Sequence, residues 1–226
     1  MTNKNILSTH ETNNGKYDLK MFTIEYLAQA TEMVFDAFIT APLYCEMVDD
    51  NEAFKLYLKS DLQKTINQEV GVIALDRETK ELVGVVSTFD NQDTEEEKKI
   101  FEQASKKMQW EVTIFHKLMD NYFQENNFQR GQNMYISWLA VNSKYRRRGL
   151  ATALFKEAIG IALKKGYERC CVWLTNRYSQ RICKNLNFTI IKEMEYSDLS
   201  VDGLNYFTGM VEKHNVSSCN CSEMIF

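Results

Sequence analysis

Hydrophobic residues recur every three or four positions in four stretches of the chain, which is the period of an amphipathic helix. These stretches predict helices over residues 24–38, 51–66, 149–164 and 177–186. Pro42, the only proline, disfavours helical backbone in the residue before it and marks the end of the first helix. Gly166 follows the third helix, at the position where a left-handed residue commonly ends a helix.

Runs of β-branched and aromatic residues between these helices predict strands. They cover residues 17–22, 70–76, 82–90, 134–141, 170–175, 188–199 and 204–213. The strands 70–76 and 82–90 are joined by five polar residues and are typical of an antiparallel hairpin. A helix separates 134–141 from 170–175, which favours a right-handed parallel connection. Gly84 inside a strand indicates a bulge or a close backbone approach.

Three polar segments complete the domain organisation. Residues 1–16 are expected to be a disordered leader, and 214–226 a flexible tail. Residues 17–213 are expected to form a single domain. Within it, the charged stretch 91–131 predicts a helical insertion, which is either a solvated surface or a lid over a cationic substrate.

Composition excludes several classes of protein. With 44% hydrophobic and 26% charged residues in 226, the chain is typical of globular proteins, and its net charge of −4 argues against general binding to nucleic acid or membranes. The six cysteines lack zinc-finger spacing, so we expect free thiols and no metal. No apolar signal segment is visible, so we expect a cytoplasmic protein. We expect it to be a monomer or a homodimer.

The sequence YRRRGLA (145–151) concentrates positive charge at the junction between the predicted strand 134–141 and the helix after it. Free backbone N–H groups at a helix N-terminus form an anion site, and a glycine lets a phosphate approach the backbone. Arginines can add charge-assisted hydrogen bonds. A solvated basic turn and an RNA-contact patch are the alternative interpretations.

This motif belongs to a larger pattern: Leu139-Ala140-Val141, Tyr145-Arg146-x-x-Gly149-x-Ala151, Asn176-x-x-Ser179 and Leu186-Asn187-Phe188. The pattern resembles the GNAT (GCN5-related N-acetyltransferase) superfamily, most specifically over residues 133–188. The resemblance implies an α/β (α+β) fold. It would have a mixed, mostly antiparallel central sheet with a splayed parallel strand pair, helices on both faces and a helical insertion before the central strand.

The resemblance also implies acetyl-CoA as cosubstrate. By motif, its pyrophosphate would bind Arg146, Arg147, Arg148, Gly149, Leu150, Ala151 and Thr152. Its pantetheine arm would pair with the backbone of Leu139 and Val141, and Ala140, Asn176 and Ser179 would complete the cofactor site.

Within the superfamily, the chain is most similar to insect-type arylalkylamine N-acetyltransferases, which implies Ser179 as a catalytic serine and Thr175 as a second hydroxyl. The glutamate expected as base is replaced by Ala41. Glu46, Asp49 and Asp50 follow shortly after it and are the substitutes that we consider, Glu46 first; surface carboxylates without a catalytic role are the alternative interpretation.

The tyrosine that many members use as acid is replaced by Cys183, so we consider Tyr178 as the acid. Tyr135 and Ser137 occupy positions that carry histidines in the vertebrate enzymes, where they would either pass a proton through water or pack.

The sequence therefore predicts an acetyl-CoA dependent N-acetyltransferase that acts on the primary amine of a small, arylalkylamine-like molecule by direct attack in a ternary complex. Two alternatives stay open: a polyamine N-acetyltransferase and a catalytically silent CoA-binding sensor.

Overall fold

The computed structural model describes residues 6–12, 15–90, 114, 122, 125–200, 203, 205, 207 and 209–226. The strands are β1 (Ile6–Thr12), β2 (Gly15–Met21), β3 (Val72–Asp76), β4 (Leu82–Asp90), β5 (Asn133–Val141), β6 (Arg169–Leu174), β7 (Thr189–Glu195) and β8 (Ser218–Ile225). The helices are α1 (Leu27–Phe38), α2 (Tyr44–Met47), α3 (Asn51–Gln68), α4 (Leu150–Lys165), α5 (Arg177–Asn185) and α6 (Met210–His214). Most of the predicted insertion at 91–131 lies outside the described residues.

Within the described residues, the strands form one eight-stranded sheet in the order β1-β2-β3-β4-β5-β6-β8-β7. Neighbouring strands run antiparallel except β5 and β6, which are parallel. A parallel pair needs a long crossover, and α4 supplies it. The expected mixed, mostly antiparallel sheet is confirmed.

Helices cover both faces of this sheet, as expected. On one face, α1 and α3 bury Val34, Phe54 and Leu58 against Trp138 of β5. On the other, α4 buries Leu154 and Phe155 against the sheet. None of the helices in the described part of the chain combines the length and apolar character needed to span a membrane.

Two glycines have the roles that the sequence predicts for them. Gly166 ends α4 with a left-handed φ of 82°. At Gly84, a Cβ atom would lie 2.9 Å from Cδ1 of Leu154, so its absence lets α4 approach β4 closely. The ladder between β3 and β4 also shifts register beside this glycine, between Ala74 and Leu75.

The prediction of a disordered leader over 1–16 is wrong for residues 6–12, which form β1 and pair with β2. Backbone pairing, polar contacts and packing of the single side chain of Leu7 against the core hold this edge strand, so its sequence gives little burial signal. Ser8 Oγ donates to Glu157 of α4 at 2.6 Å, and the His10 ring contacts the loop before α4.

The flexible tail predicted over 214–226 is also wrong, because β8 lies inside the sheet between β6 and β7. Its small polar residues are buried together with cysteines, and Ser222 Oγ donates to Asn220 Oδ1 at 2.9 Å. A satisfied polar residue can be buried at little cost, which the composition alone does not reveal. The strand predicted over 204–213 is replaced at 210–214 by α6.

Candidate active site

The parallel strands β5 and β6 separate part-way along their length. They pair only where Asn133–Ile136 faces Arg169–Val172, although β5 continues to Val141 and β6 to Leu174. The separation begins at a bulge, because Ser137 is an extra residue between the β4–β5 pairs Thr88–Ile136 and Ser87–Trp138. A bulge bends its strand away from a regular ladder. The result is a wedge-shaped gap, the splayed pair that the resemblance implied.

Backbone groups of β5 point into this gap. Asn142 N–H donates to Val83 O of β4 at 3.0 Å. Because successive strand amides point to opposite sides, the N–H groups of Val141 and Leu139 are directed away from β4, toward β6. These are the residues whose backbone was predicted to pair with an extended cofactor arm.

The turn that follows β5 leads into the N-terminus of α4. Arg147 and Gly149 have positive φ angles of 61° and 75°, and α4 begins at Leu150. Among the described residues, no side chain caps this helix, and its first turn carries no acidic residue. By contrast, Asp50 caps α3 and Asn176 caps α5. The first amides of α4 therefore keep their capacity to bind an anion.

The three arginines of this turn do different things. Arg146 and Arg147 are exposed. Arg148 turns back toward β2, where Nη1 donates to the Tyr17 hydroxyl at 2.7 Å and Nη2 donates to Lys144 O at 3.1 Å. Its guanidinium also lies 4.9 Å from the centre of the Tyr145 ring. Arg148 thus braces the turn, and Arg146 and Arg147 are the ones presented to solvent.

His10 of β1 contacts the same turn, although it was not among the predicted site residues. Its Nε2 lies 3.0 Å from Arg148 O, and a Cβ atom on Gly149 would be 3.3 Å from it. The pair Asn14-Gly15 is a strong hairpin signal that could have placed β1 beside β2.

The opposite wall of the gap is the start of α5. The Asn176 side chain accepts from the N–H groups of Tyr178 and Ser179 at 3.0 and 3.1 Å, and Ser179 Oγ donates to Asn176 O at 2.9 Å. Thr175 is buried, and its carbonyl accepts from the Tyr196 hydroxyl at 2.9 Å. Three of the predicted site residues, Thr175, Asn176 and Ser179, are therefore held in one rigid turn.

Tyr178 is exposed beside that turn and interacts with arginines. Arg177 Nη2 donates to its hydroxyl at 3.2 Å, and this hydrogen bond and the charge of Arg177 lower the pKa of Tyr178. The charge of Arg147 adds to the lowering of this pKa.

Cys183, in the position expected of a tyrosine acid, is buried, and burial raises the pKa of its thiol to about 12. The thiol therefore stays protonated and is a poor acid, which agrees with a buried, inert cysteine. Asn187, which replaces a glycine, adopts the left-handed conformation expected of it, with a φ of 64°.

Glu46 lies on the other face of the sheet, on α2. Its Oε1 is 2.8 Å from Lys213 Nζ and 3.9 Å from His214 Nε2, both on α6. Tyr44, two residues earlier, packs on Trp138 with a centroid distance of 5.6 Å, and Phe38 packs on the same indole at 4.8 Å. The segment that carries Glu46 therefore covers β5 next to its bulge.

Tyr135 and Ser137, at the positions that carry histidines in the vertebrate enzymes, have different surroundings. Tyr135 packs against Phe89, 5.5 Å between centroids. Ser137 Oγ donates to Ser87 Oγ at 3.1 Å, and Ser87 in turn shares a 2.6 Å hydrogen bond with Thr65 Oγ1. Packing explains Tyr135, whereas Ser137 joins a chain of hydroxyl groups that leads away from the gap.

The sequence model of the acetyltransferase (GNAT) family matches residues 32–188, well over half of the chain. The chain belongs to the GNAT acetyltransferase family. A search of curated protein sequences found no significant match.

Several solved structures share the fold of this chain at low identity. Arylalkylamine N-acetyltransferase 2 from Aedes aegypti is 18% identical over 92% of this chain and 98% of that one, with a TM-score of 0.75. The Drosophila melanogaster polyamine N-acetyltransferase that forms N-acetylagmatine is 15% identical over 93% and 100%, with a TM-score of 0.73. The C-terminal condensation domain of Ebony, in complex with beta-alanyl-dopamine, is 12% identical over 93% and 99%, with a TM-score of 0.76.

Membership of the GNAT family gives the gap and the turn their chemical meaning, since this family uses acetyl-CoA. The residues present fit such a substrate, because the gap offers strand amides and one end of it opens on an uncapped helix N-terminus. Family membership alone does not identify the amine substrate or the residues that transfer protons.

Proposed function

We propose that this GNAT protein transfers the acetyl group of acetyl-CoA to the primary amine of a small arylalkylamine by direct attack in a ternary complex. The observation that carries the proposal is the alignment of two features. The amides of Leu139 and Val141 are directed into a gap, and the gap leads to the uncapped start of α4. An extended arm with a pyrophosphate at one end matches both.

In this proposal the cofactor residues act mainly through backbone. The amides of Gly149 to Thr152 bind the pyrophosphate, with Arg146 and Arg147 adding charge from the exposed side. Ala140 contributes by pairing with Val85, which fixes the direction of its neighbours. Arg148 acts indirectly by holding the turn against β2.

Proton transfer needs a base on the amine side and an acid near the leaving thiolate. An alkylammonium has a pKa near ~10 and must lose a proton before it attacks. Glu46 is the proposed base, because its carboxylate already holds the primary ammonium of Lys213 at 2.8 Å and a substrate ammonium could replace it. Tyr178 is the proposed acid. Ser179 and Thr175 are proposed to hold the start of α5, which is the wall of the gap that carries Tyr178.

The arylalkylamine class is supported by the aromatic residues beside Glu46. Phe38 is only partly buried, and it packs edge to face on the buried rings of Trp138 and Tyr44. An aromatic wall beside a carboxylate suits a ring joined to an ammonium by a short linker. We also propose a cytosolic location, supported by six cysteines that are all free thiols.

The test is release of free CoA thiol from acetyl-CoA with dopamine, tryptamine, serotonin, agmatine and spermidine. We expect turnover with dopamine, tryptamine and serotonin, and a higher kcat/KM for these aromatic amines than for agmatine or spermidine. Preference for agmatine or spermidine would replace the proposal with a polyamine acetyltransferase. Tight CoA binding without turnover of any amine would leave a CoA-binding sensor.

The role of Glu46 has its own test. Glu46→Gln should raise KM for the amine and lower kcat, with little change in the Kd of acetyl-CoA. Asp49→Asn, three residues along, is the matched control and should keep both constants. Equal kinetics in the two variants would remove Glu46 from the mechanism.

A further inference from the structure

Cys45, Glu46 and His214 form a cluster that acetyl transfer does not require as a whole. Their ligand atoms, Sγ, a carboxylate oxygen and Nε2, all lie within 4.8 Å of one another. Cys45 Sγ is 3.5 Å from His214 Nε2, and His214 Nε2 is 3.9 Å from Glu46 Oε1. Cys45 and His214 are 169 residues apart in sequence, so no spacing motif predicts their meeting.

From this cluster we propose a binding site for a thiophilic divalent metal, Zn²⁺ in the first place. Sulfur and nitrogen ligands at about 2.3 and 2.05 Å from a tetrahedral zinc are about 3.6 Å apart. The separation of Cys45 Sγ and His214 Nε2 is therefore that of two ligands of one ion. A nitrogen and a carboxylate oxygen on the same ion are about 3.3 Å apart, so Glu46 Oε1 must move closer to His214 Nε2 than its present 3.9 Å when the ion binds.

The backbone around the three ligands is fixed by packing. Tyr44 and Met47 anchor α2 in the core and Met210 anchors α6, with exposures of 3%, 1% and 1%. Cys45 also donates its S–H to Pro42 O at 3.2 Å. The side chain of Cys45 is exposed, so an ion can enter from solvent and keep water as a fourth ligand.

The ligand types select among cations. Thiolate and imidazole suit Zn²⁺ and Co²⁺, whereas Mg²⁺ and Ca²⁺ prefer oxygen ligands only. Lys213 opposes any cation, because its ammonium is 2.8 Å from Glu46 Oε1. The ion must displace this ammonium, and Lys213 therefore limits the affinity of the site.

The experiment uses the full chain without an affinity tag. Co²⁺ titration is followed by the thiolate-to-cobalt charge-transfer absorption, and Zn²⁺ affinity is measured by calorimetry against a competing chelator. We expect one ion per chain. Cys45→Ser should abolish the absorption, and His214→Gln should weaken Zn²⁺ binding about tenfold or more.

Two matched variants complete the design. Lys213→Met should tighten Zn²⁺ binding, since it removes the opposing charge. His10→Gln, which changes a histidine outside the cluster, should leave Zn²⁺ affinity unchanged. Absence of the absorption in the unaltered chain, or Zn²⁺ binding that survives both Cys45→Ser and His214→Gln, would overturn the proposal. Thermal melts verify that each variant is folded, since the side chain of Cys45 is exposed but that of His214 is partly buried.

A second readout does not depend on variants. Zn²⁺ should protect Cys45 from alkylation by iodoacetamide, and EDTA should restore the reaction, as measured by mass spectrometry of the Cys45 peptide. Unchanged alkylation at saturating Zn²⁺ would contradict the site. If the proposed role of Glu46 also holds, Zn²⁺ will inhibit acetylation in competition with the amine and not with acetyl-CoA. This consequence rests on the proposed function, whereas metal binding itself does not.

Discussion

The two sides of the sheet are built differently around the gap. On the proposed cofactor side, the turn at 146–152 and the strand at 139–141 offer main-chain groups from one continuous segment. On the proposed amine side, the available groups are side chains of the neighbouring helices α1 and α2 and of α6, which lies far from both in sequence. Backbone sites suit a ligand shared by a whole family, because any side chain at the same position leaves the amides in place. Side-chain sites are free to vary with the amine.

Gly149→Val gives the strongest test of the backbone side. A Cβ atom would lie 3.3 Å from His10 Nε2, and a β-branched residue is strained at a φ of 75°. We expect acetyl-CoA affinity, measured by calorimetry, to fall about 100-fold or more as the phosphate loses access. Unfolding free energy should fall by only about 1–2 kcal/mol.

Gly160→Ala is the control for that change. Gly160 lies inside α4, and within the described part of the chain no heavy atom outside its own helix backbone comes within 4 Å of where a Cβ atom would lie. Alanine should therefore stabilise the helix by about 0.5–1 kcal/mol and leave the affinity unchanged. If Gly149→Val lost stability and affinity in equal proportion, the phosphate role of the turn would be refuted.

Ser179→Ala tests the wall that faces the cofactor. The variant loses the hydrogen bond from Oγ to Asn176 O, and with it a positioned hydroxyl. We expect kcat to fall about 10–100-fold while the Kd of acetyl-CoA stays within about twofold. Ser179→Thr keeps the hydroxyl and should restore part of kcat. Unchanged turnover in the alanine variant would retire Ser179 from catalysis.

Separate substitutions of the adjacent residues Arg147 and Arg148 distinguish binding of acetyl-CoA from stabilisation of the turn. Arg147→Met should weaken acetyl-CoA binding about tenfold, less at high salt, with little effect on stability. Arg148→Met loses hydrogen bonds to Tyr17 and Lys144 and should cost about 1–2 kcal/mol, seen as a lower Tm. The reverse pattern would show that Arg148 is the residue that binds phosphate.

The smallest expected effect is a shift in a pH profile. Tyr178 can act as acid only while protonated, so kcat should decline as pH rises through its pKa, which Arg177 lowers from the ordinary tyrosine value. Arg177→Gln removes the main cause, raises that pKa and moves the decline to higher pH. Tyr178→Phe should remove the decline altogether, and its persistence in that variant would assign the acid elsewhere.

Features that depend on local sequence patterns could be predicted, whereas features that depend on contacts between distant residues could not. The parallel crossover, the hairpin at 70–90 and the turn before α4 depend on local patterns, and all are found. The strands β1 and β8 were missed because their residues are polar or small and their stability comes from distant partners. The neighbours of Glu46 were missed for the same reason, since Lys213 and His214 come close to it only when the chain is folded.

The contacts of His10 and Arg148 tie the N-terminal hairpin to the turn that begins α4. Thermodynamic linkage makes such a tie reciprocal: a ligand that favours the ordered turn also favours the closed hairpin, by the same free energy. Amide hydrogens of β1 and β2 should therefore exchange more slowly when acetyl-CoA is bound, although neither strand lines the gap. Any change that detaches β1 from the edge of the sheet would lower the affinity for acetyl-CoA, although β1 does not line the gap.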